Sequence, residues 1–404
     1  MEGGTGVNQV AWAPQREIFF SAVGDFFRSS SGLAALEAQA DQEEMSRKIN
    51  DILRGYFAAR GLSLEVRFGF FDVGELVPGI HAEVCRVGIE GKRIELAFHQ
   101  DWRGRYRVHV LLHRLPAVLE VLAVMTAFDT SLSSTVLAEL GDSGEYPTLA
   151  FSTREARACP IPDPDFFSSY GYLGLREEIE AHWVPWEERD LRIFWRGETT
   201  GRRRFRPPPV GAPDDFRWLP RLHLCMAARQ ARHAGLFDVA LSGIVQIREL
   251  HLISRIEEAG LLRRPPPPLA PLKYKARLVI DGNANDWRDM FSALLMGNCV
   301  FLVQSELGFR QWYHGALKPW QHYVPVAPDF SDLDERAEWL ITHDAEAKAI
   351  AARGRDLASR LTFESVYPSL IKPVRRWLPE GAFWRETKDG SKAPRPQRKK
   401  TSTS

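Results

Sequence analysis

Apolar positions recur at helical spacing over residues 41–60, where Met45, Ile49, Ile52, Leu53 and Phe57 share one side. Gly61 follows as the left-handed residue that closes a helix. Strand-like runs come next: LSLEVRFGFF, a second over residues 82–89, and IELAFH at residues 94–99. HRLPAVLEVLAVMTAF reads as a helix with Pro116 in its first turn, where the missing N–H is no loss. TVLAELGD and PTLAFS read as two further strands. Beyond a polar stretch with two tryptophans, WVPWEERD, the alternation resumes with the strand LRIFWRG. A helix over residues 217–235, a strand over 237–241 and a helix over 244–259 lead to a proline-rich loop, RRPPPPLAP. Strand, loop, helix and strand then follow from Lys273, and one helix is expected over residues 333–359.

Strands that alternate with helices predict an α/β protein. The polar stretch near residues 182–190 marks a boundary between two halves of similar size. The expected division is an N-terminal extension (1–45), a first α/β domain (46–188), a second (189–385) whose last helices pack back on the first, and a disordered basic tail (386–404). The extension is small, polar or acidic, apart from the cluster Phe19, Phe20, Phe26 and Phe27.

Composition narrows the picture. A length of 404 residues suggests two domains or one large one, and 44% hydrophobic content can bury substantial cores. A net charge of +1 supplies no global field toward nucleic acid or membrane. Cys85, Cys159, Cys225 and Cys299 lie far apart with no CxxC pair, which argues against zinc and against a disulfide framework. The first twenty residues lack the basic and apolar regions of a secretory signal, so a cytoplasmic setting is expected. The eleven histidines show no HExxH spacing, and there is no GxSxG elbow.

Two segments could grip an anion. In KYKARLVIDGNANDWR a strand feeds a small polar loop and then a helix N-terminus, whose free N–H groups favour negative charge. Arg288 in the first helical turn can fork two hydrogen bonds onto phosphate oxygens. An ordinary Asn/Gly turn, with Asp286 as the helix cap, fits the same residues. The second segment is WRGETTGRRRFR at residues 195–206, a strand end followed by hydroxyl-bearing loop residues and an arginine run. An exposed basic loop or nucleic-acid contact are its other readings. Asp163-Pro164-Asp165 spells DxD, which elsewhere can hold a divalent ion.

These motifs taken together, WRGETTG, KYKARLVIDGNANDWR, CVFLV, WYHGALKPWQHYVPV and FSDL, resemble glycosyltransferase family 90. This family includes protein O-glucosyltransferases, capsule xylosyltransferases and bacterial lipopolysaccharide-modifying proteins. The resemblance runs from about residue 192 to 365 and is weaker over 120–175. It implies a GT-B architecture, two Rossmann-like domains facing a cleft, with the nucleotide sugar held mainly by the second. It implies inversion at the anomeric carbon, no metal and no cofactor beyond the UDP-sugar co-substrate.

Carried over by position, Asn283, Ala284, Asn285, Asp286, Trp287 and Arg288 should bind the donor, as should Arg196, Thr199, Thr200, Arg202 and Arg204. Animal members carry an acidic residue beside the arginine of that loop, where this chain has only arginines. Trp195, Trp320 and Tyr323 are expected to pack, and His322 to brace its loop. The family's catalytic base corresponds to Asp142 in TVLAELGDSGEYPTLAFS, with Glu145 in reserve and Asp129 a distant third. A surface-turn aspartate is the competing reading of Asp142. Asp163, Tyr170 and Tyr172 are expected on the acceptor side, with core packing for Phe166 and Phe167. The expected partners are a UDP-sugar and a glycan, lipopolysaccharide, glycolipid or protein acceptor, with no nucleic acid. Peripheral contact with the inner face of a bacterial membrane is compatible with this. A non-catalytic protein that keeps the donor pocket is the alternative from a different class.

Overall fold

The structure is a computed structural model that describes residues 15–36, 40–62, 64–71, 83–99 and 108–381. The expected basic tail lies outside the described residues. The first half comprises α1 (Arg16–Gly32), α2 (Gln42–Ala59), β1 (Glu65–Phe71), β2 (Val84–Glu90), β3 (Arg93–His99), α3 (Val108–Phe128), β4 (Ser133–Glu139), β5 (Leu149–Ala150), β6 (Cys159–Pro160), α4 (Pro164–Ser168) and α5 (Leu173–Ala181). The second comprises β7 (Asp190–Glu198), α6 (Pro220–Gln230), β8 (Phe237–Gly243), α7 (Leu250–Glu258), β9 (Tyr274–Val279), α8 (Arg288–Leu295), β10 (Cys299–Val303), β11 (Val324–Val326), α9 (Leu333–Thr342), α10 (Asp344–Arg360) and α11 (Phe363–Gly381).

The two halves carry different sheets. The second is five-stranded, wholly parallel, in the order β11-β10-β9-β7-β8. Its chain runs outward from β7 to β8 on one side and from β9 to β10 and β11 on the other. This is a doubly wound sheet whose switch point lies between β7 and β9. The first sheet has the order β1-β3-β2-β4-β5-β6 and is mixed, because β2 runs antiparallel to both β3 and β4. Only Gly91 and Lys92 separate β2 from β3, and so short a link admits only an antiparallel pair. Gly91 sits at φ 59, as such a tight reversal requires.

Helix α2 forms where the apolar spacing placed it: the Asp41 carboxylate accepts from Glu44 N–H as N-cap, and Gly61 follows at φ 65. Helix α3 begins five residues before the expected start, so Pro116 lies inside it rather than in its first turn. This helix is apolar enough in composition to cross a membrane, yet 78% of its window Leu111–Phe128 is buried in the protein. Residues 16–32, read as part of an extension, form α1, whose Phe19, Ala22, Val23 and Phe26 are buried in the first core. The long helix expected over 333–359 breaks at His343, and Asp344 beyond the break accepts from Trp186 Nε1 and Lys275 Nζ. Helices α6 and α7 start later than their patterns suggest, at Pro220 and Leu250.

Two hydrophobic cores result. One joins the first sheet, α1 to α3, α8 and α11; the other joins the second sheet to α6, α7 and α9, with α10 contributing to both. The buried Arg60–Glu120 pair at 2.8 Å lies within the first. All four cysteines are buried and free.

Candidate functional site

In a doubly wound sheet, the loops leaving the two strands at the switch point diverge and leave a crevice at their carboxyl ends. Here those loops are residues 199–204 after β7 and 280–287 after β9. Arg221, in the first turn of α6, staples them. Its Nε donates to Asp281 O (3.0 Å), Nη1 to Glu198 O (3.2 Å) and Thr200 Oγ1 (2.6 Å), and Nη2 to Ile280 O (3.2 Å). Gly201 N–H donates to Asn283 Oδ1 at 3.1 Å, closing the gap directly. A Cβ on Gly282 would stand 3.2 Å from both Arg221 Nη2 and Thr200 Oγ1, so a side chain there would push the staple aside by a few tenths of an ångström.

A cavity of about 350 Å³ opens at this end of the sheet, lined by Arg202, Arg203, Arg204, Gly282, Gln304 and Glu306, among others. Each arginine meets a carboxylate from a different loop. Arg202 lies 3.4 Å from Glu145, Arg203 is forked onto Glu249 at 2.9 and 3.2 Å, and Arg204 Nε donates to Glu306 at 2.7 Å. The Arg203 hydrogen bonds hold the Glu249 carboxyl down at about 2. Three guanidinium groups around one cavity suit a ligand with several negative oxygens.

The other donor candidates divide. Thr199 is buried, and its hydroxyl donates to Val245 O and accepts from Val245 N–H, both at 2.7 Å. Arg196 is paired with Asp238, whose second oxygen accepts from Tyr274 Oη. Both brace the strand and its loop and point to no ligand. Ala284 is buried. Asp286 is buried and caps α8, accepting from Met290 N–H at 2.9 Å, as the plain-turn reading supposed. Burial first, and then the nearby Asp281, push its carboxyl up to about 8. Burial also pushes Asp281 up to about 6, against a Ser305 hydrogen bond and the Arg221 charge.

Trp287 sits at φ 52, ψ −118, a conformation costly for a side-chain-bearing residue, about 1–3 kcal/mol. Asn285 Oδ1 accepts from its N–H at 2.7 Å, and Gln311 Nε2 donates both to its carbonyl (2.9 Å) and to Asn285 Oδ1 (3.0 Å). Arg288 follows, exposed and without a hydrogen bond among the described residues. It does not line the arginine cavity. It lines a separate one of about 500 Å³, together with Asp165, Tyr172 and Arg277.

On the first half, β4 delivers Leu140 to Glu145 opposite these loops. Arg114 from α3 donates to Leu140 O (2.7 Å) and to Asp142 Oδ1 (2.8 Å), and its Cζ lies 5.7 Å from the Trp287 ring centroid. Asp142 thus reaches the 280–287 loop through one arginine, and its Oδ2 has no partner among the described residues. Glu145 pairs with Arg154 at 2.7 Å and bridges to Arg202 of the second half. Beneath them Glu139 is buried. Burial, and then Glu83, push its carboxyl up to about 8. Asp129 stands before the opposite end of β4, held by Ser131 and Arg375.

The expected acceptor-side residues are not gathered in one place. Asp163 is buried as N-cap of α4, accepting from Phe166 N–H at 2.9 Å, and burial pushes it up to about 6. A capping carboxylate buried in this way is not a free face for a sugar. Tyr170 stacks on Phe363 at 4.2 Å inside the core with Phe166 and Phe167. Tyr172 alone borders a cavity, its buried hydroxyl unpartnered among the described residues. No group of three or more His, Cys, Asp or Glu that could hold a metal ion occurs among the described residues. Arg114, Arg221, Gln311, Glu249 and Glu306 had no signal in the sequence, since each acts through a partner distant along the chain. His322 Nδ1 accepts from Lys318 N–H at 3.0 Å and braces its loop.

The fold is thus α/β, with a doubly wound sheet whose switch-point crevice is lined by arginines and faced by a carboxylate-bearing loop. Residues 267–372 match the family model described as Glycosyl transferase family 90. Protein O-glucosyltransferase 2 of Danio rerio is 28% identical over 294 residues, covering 70% of this chain and 53% of that protein. Uncharacterized protein 035R of Invertebrate iridescent virus 3 is 44% identical over 105 residues, 26% of this chain and 10% of that protein. Human protein O-glucosyltransferase 3 is 37% identical over 89 residues, 22% of this chain and 17% of that protein. The chain thus spans about half, or much less, of the length of these relatives. Among solved structures, Anabaena Alr3699/HepE in complex with UDP-glucose is similar at 14% identity and a TM-score of 0.31, over 46% of this chain and 49% of that one. A superposition so partial assigns no domain arrangement.

Proposed function

We propose that this chain is an inverting glycosyltransferase of the GT-B type that needs no metal. It moves glucose, xylose or a related sugar from a UDP donor to a hydroxyl of a glycan, glycolipid, lipopolysaccharide or protein acceptor. The observation that carries the reading is the meeting of two loops from different halves: Arg202 beside Glu145, and Trp287 beside the arginine that holds Asp142. The uridine diphosphate is assigned to the switch-point crevice. There the arginines of residues 202–204 exchange their carboxylate partners for phosphate oxygens and neutralise the leaving diphosphate. Asn283, Asn285 and the strained Trp287 shape the floor on which the donor lies. Asp142 takes the proton of the acceptor hydroxyl as it attacks the anomeric carbon, and Arg114 fixes the carboxylate so that Oδ2 faces the acceptor. We place the reaction in the cytoplasm, at the inner face of a bacterial membrane where the acceptor is lipid-linked.

The test is Asp142→Asn, assayed for sugar transfer and for UDP binding. Transfer is expected to fall by roughly 10²–10⁴-fold, with UDP affinity unchanged. Transfer at the wild-type rate removes Asp142 as base. If no UDP-sugar raises the melting temperature of the wild-type protein, the donor assignment fails, because a ligand selective for the folded state must stabilise it. Activity retained in EDTA supports the metal-free reading, and its loss refutes it.

A further inference from the structure

The amino end of the second sheet holds a cavity that the transfer reaction does not use. It measures about 490 Å³ and lies between the segment joining the two halves and α10, lined by Trp183, Trp186, Arg189, Gly297, Lys348 and Arg355, among others. Arg189 immediately precedes β7, and the switch-point crevice lies beyond that strand's other end at Glu198. Nine residues of strand put roughly 25 Å between the two sites.

Arg189 is buried, at 5% exposure. Its Nε donates to Val184 O (2.9 Å) and its Nη1 to Gly297 O (2.8 Å), at the C-terminal end of α8. Its buried Nη2 has no acceptor among the described residues, and no carboxylate there pairs with it. Arg355 repeats the pattern: Nη2 donates outward to Glu180, while Nε is buried without a partner. Both guanidinium groups lie against the Trp183 indole, with Cζ at 4.6 Å (Arg189) and 3.8 Å (Arg355) from its ring centroid. Gly297, at φ 64, lets that indole approach, since a Cβ there would come within 2.9 Å of it.

The acids at the cavity already have cations of their own. Glu187 pairs with Lys348 and Asp356 with Arg360. What remains is two neighbouring guanidinium groups, each with an N–H buried and unmatched. Arg355 has the Glu180 carboxylate, but Arg189 has none among the described residues, and a buried charge without a counter-ion is costly; the usual remedy is an anion beside it. Burial and the adjacent Arg355 charge together pull the Arg189 guanidinium down to about 10.

We propose that this cavity is a binding site for a small organic oxyanion, a phosphate or a carboxylate, drawn to the Arg189 and Arg355 guanidinium groups with its organic part against the tryptophans. Its volume falls within the range of small-molecule pockets. The site stands on these residues alone and holds whether or not the donor assignment is correct.

The test uses the full chain titrated calorimetrically with phenyl phosphate and with benzoate, each with and without saturating UDP. One probe is expected to bind at one site, unaffected by UDP, and the better probe identifies the oxyanion. Arg355→Gln and Trp183→Leu should each weaken it by roughly tenfold or more, as loss of a charge-assisted contact or of its stacking wall implies. If Arg355→Gln does not fold, Trp183→Leu carries the same comparison. Three results overturn the proposal: neither probe binds at millimolar concentration, the folded variants bind as well as wild type, or UDP displaces the probe, which moves the site to the crevice.

Discussion

Arg221→Met keeps the length and apolar stem of the side chain and removes the guanidinium that joins the two switch-point loops. Four hydrogen bonds go with it. The bond to Ile280 O is buried and the other three are partly so. Counting about 1.5 kcal/mol for the buried bond and a little under 1 kcal/mol for each of the rest gives a gross loss of about 4 kcal/mol. Part is returned, because a buried guanidinium need no longer be desolvated. A net destabilisation of about 2–3 kcal/mol remains, a large share of the 5–15 kcal/mol typical of folded proteins. The urea midpoint should fall with the m-value unchanged. Amide exchange should quicken over residues 198–204 and 280–286 and stay as in wild type in α3, since only the staple is cut. UDP affinity should weaken by about tenfold if ordering the loops then costs the ligand about 1.4 kcal/mol. An unchanged midpoint with unchanged exchange in both loops would show that Arg221 does not hold them together.

Glu139→Gln tests the buried carboxyl under Asp142. Its folded value of about 8 lies above the ordinary 4.5, so the folded state keeps a proton that the unfolded state releases in that interval. The stability it favours is complete below pH 4.5 and is lost as pH rises toward 8. The glutamine variant should therefore flatten the fall in melting temperature across that window while still accepting from Gly141 N–H; an identical slope refutes the assignment. Glu120→Leu leaves Arg60 buried without its partner and should cost about 3–5 kcal/mol by urea unfolding. Adding Arg60→Met should restore most of that loss, and a double variant no better than the single one would show that the pair is not the source.

Most of the elements were legible because their patterns are local. The α2 spacing, its Asp41 cap and its Gly61 stop lie within one short segment. The parallel strands of the second half are continuous apolar runs such as CVFLV, as strands covered on both faces must be. Two further local signals lie in the first half of the chain. Phe19, Ala22, Val23 and Phe26 have the spacing of α1, masked by the small polar residues around them. Glu90-Gly91-Lys92-Arg93 is a tight reversal, and it makes the first sheet mixed. Helix α3 starts ahead of Pro116 because Val108, Leu111, Leu112 and Leu115 extend its buried stripe.

The sequence by itself determined the second sheet, the two arginine-bearing loops and the family they resemble, because strand propensity, glycine positions and long motifs act between near neighbours. Tertiary structure alone decided what those residues do. Asp286 and Asp163 became buried helix caps, Thr199 and Arg196 became braces, and the three consecutive arginines met three carboxylates far apart in the chain. It also separated Arg288 from the arginine run and placed Arg114 between Asp142 and Trp287. The reason is physical. A charge is free to bind a ligand only if no nearer partner satisfies it, and those partners are chosen by how the sheets stack and where the loops cross, which no local pattern records.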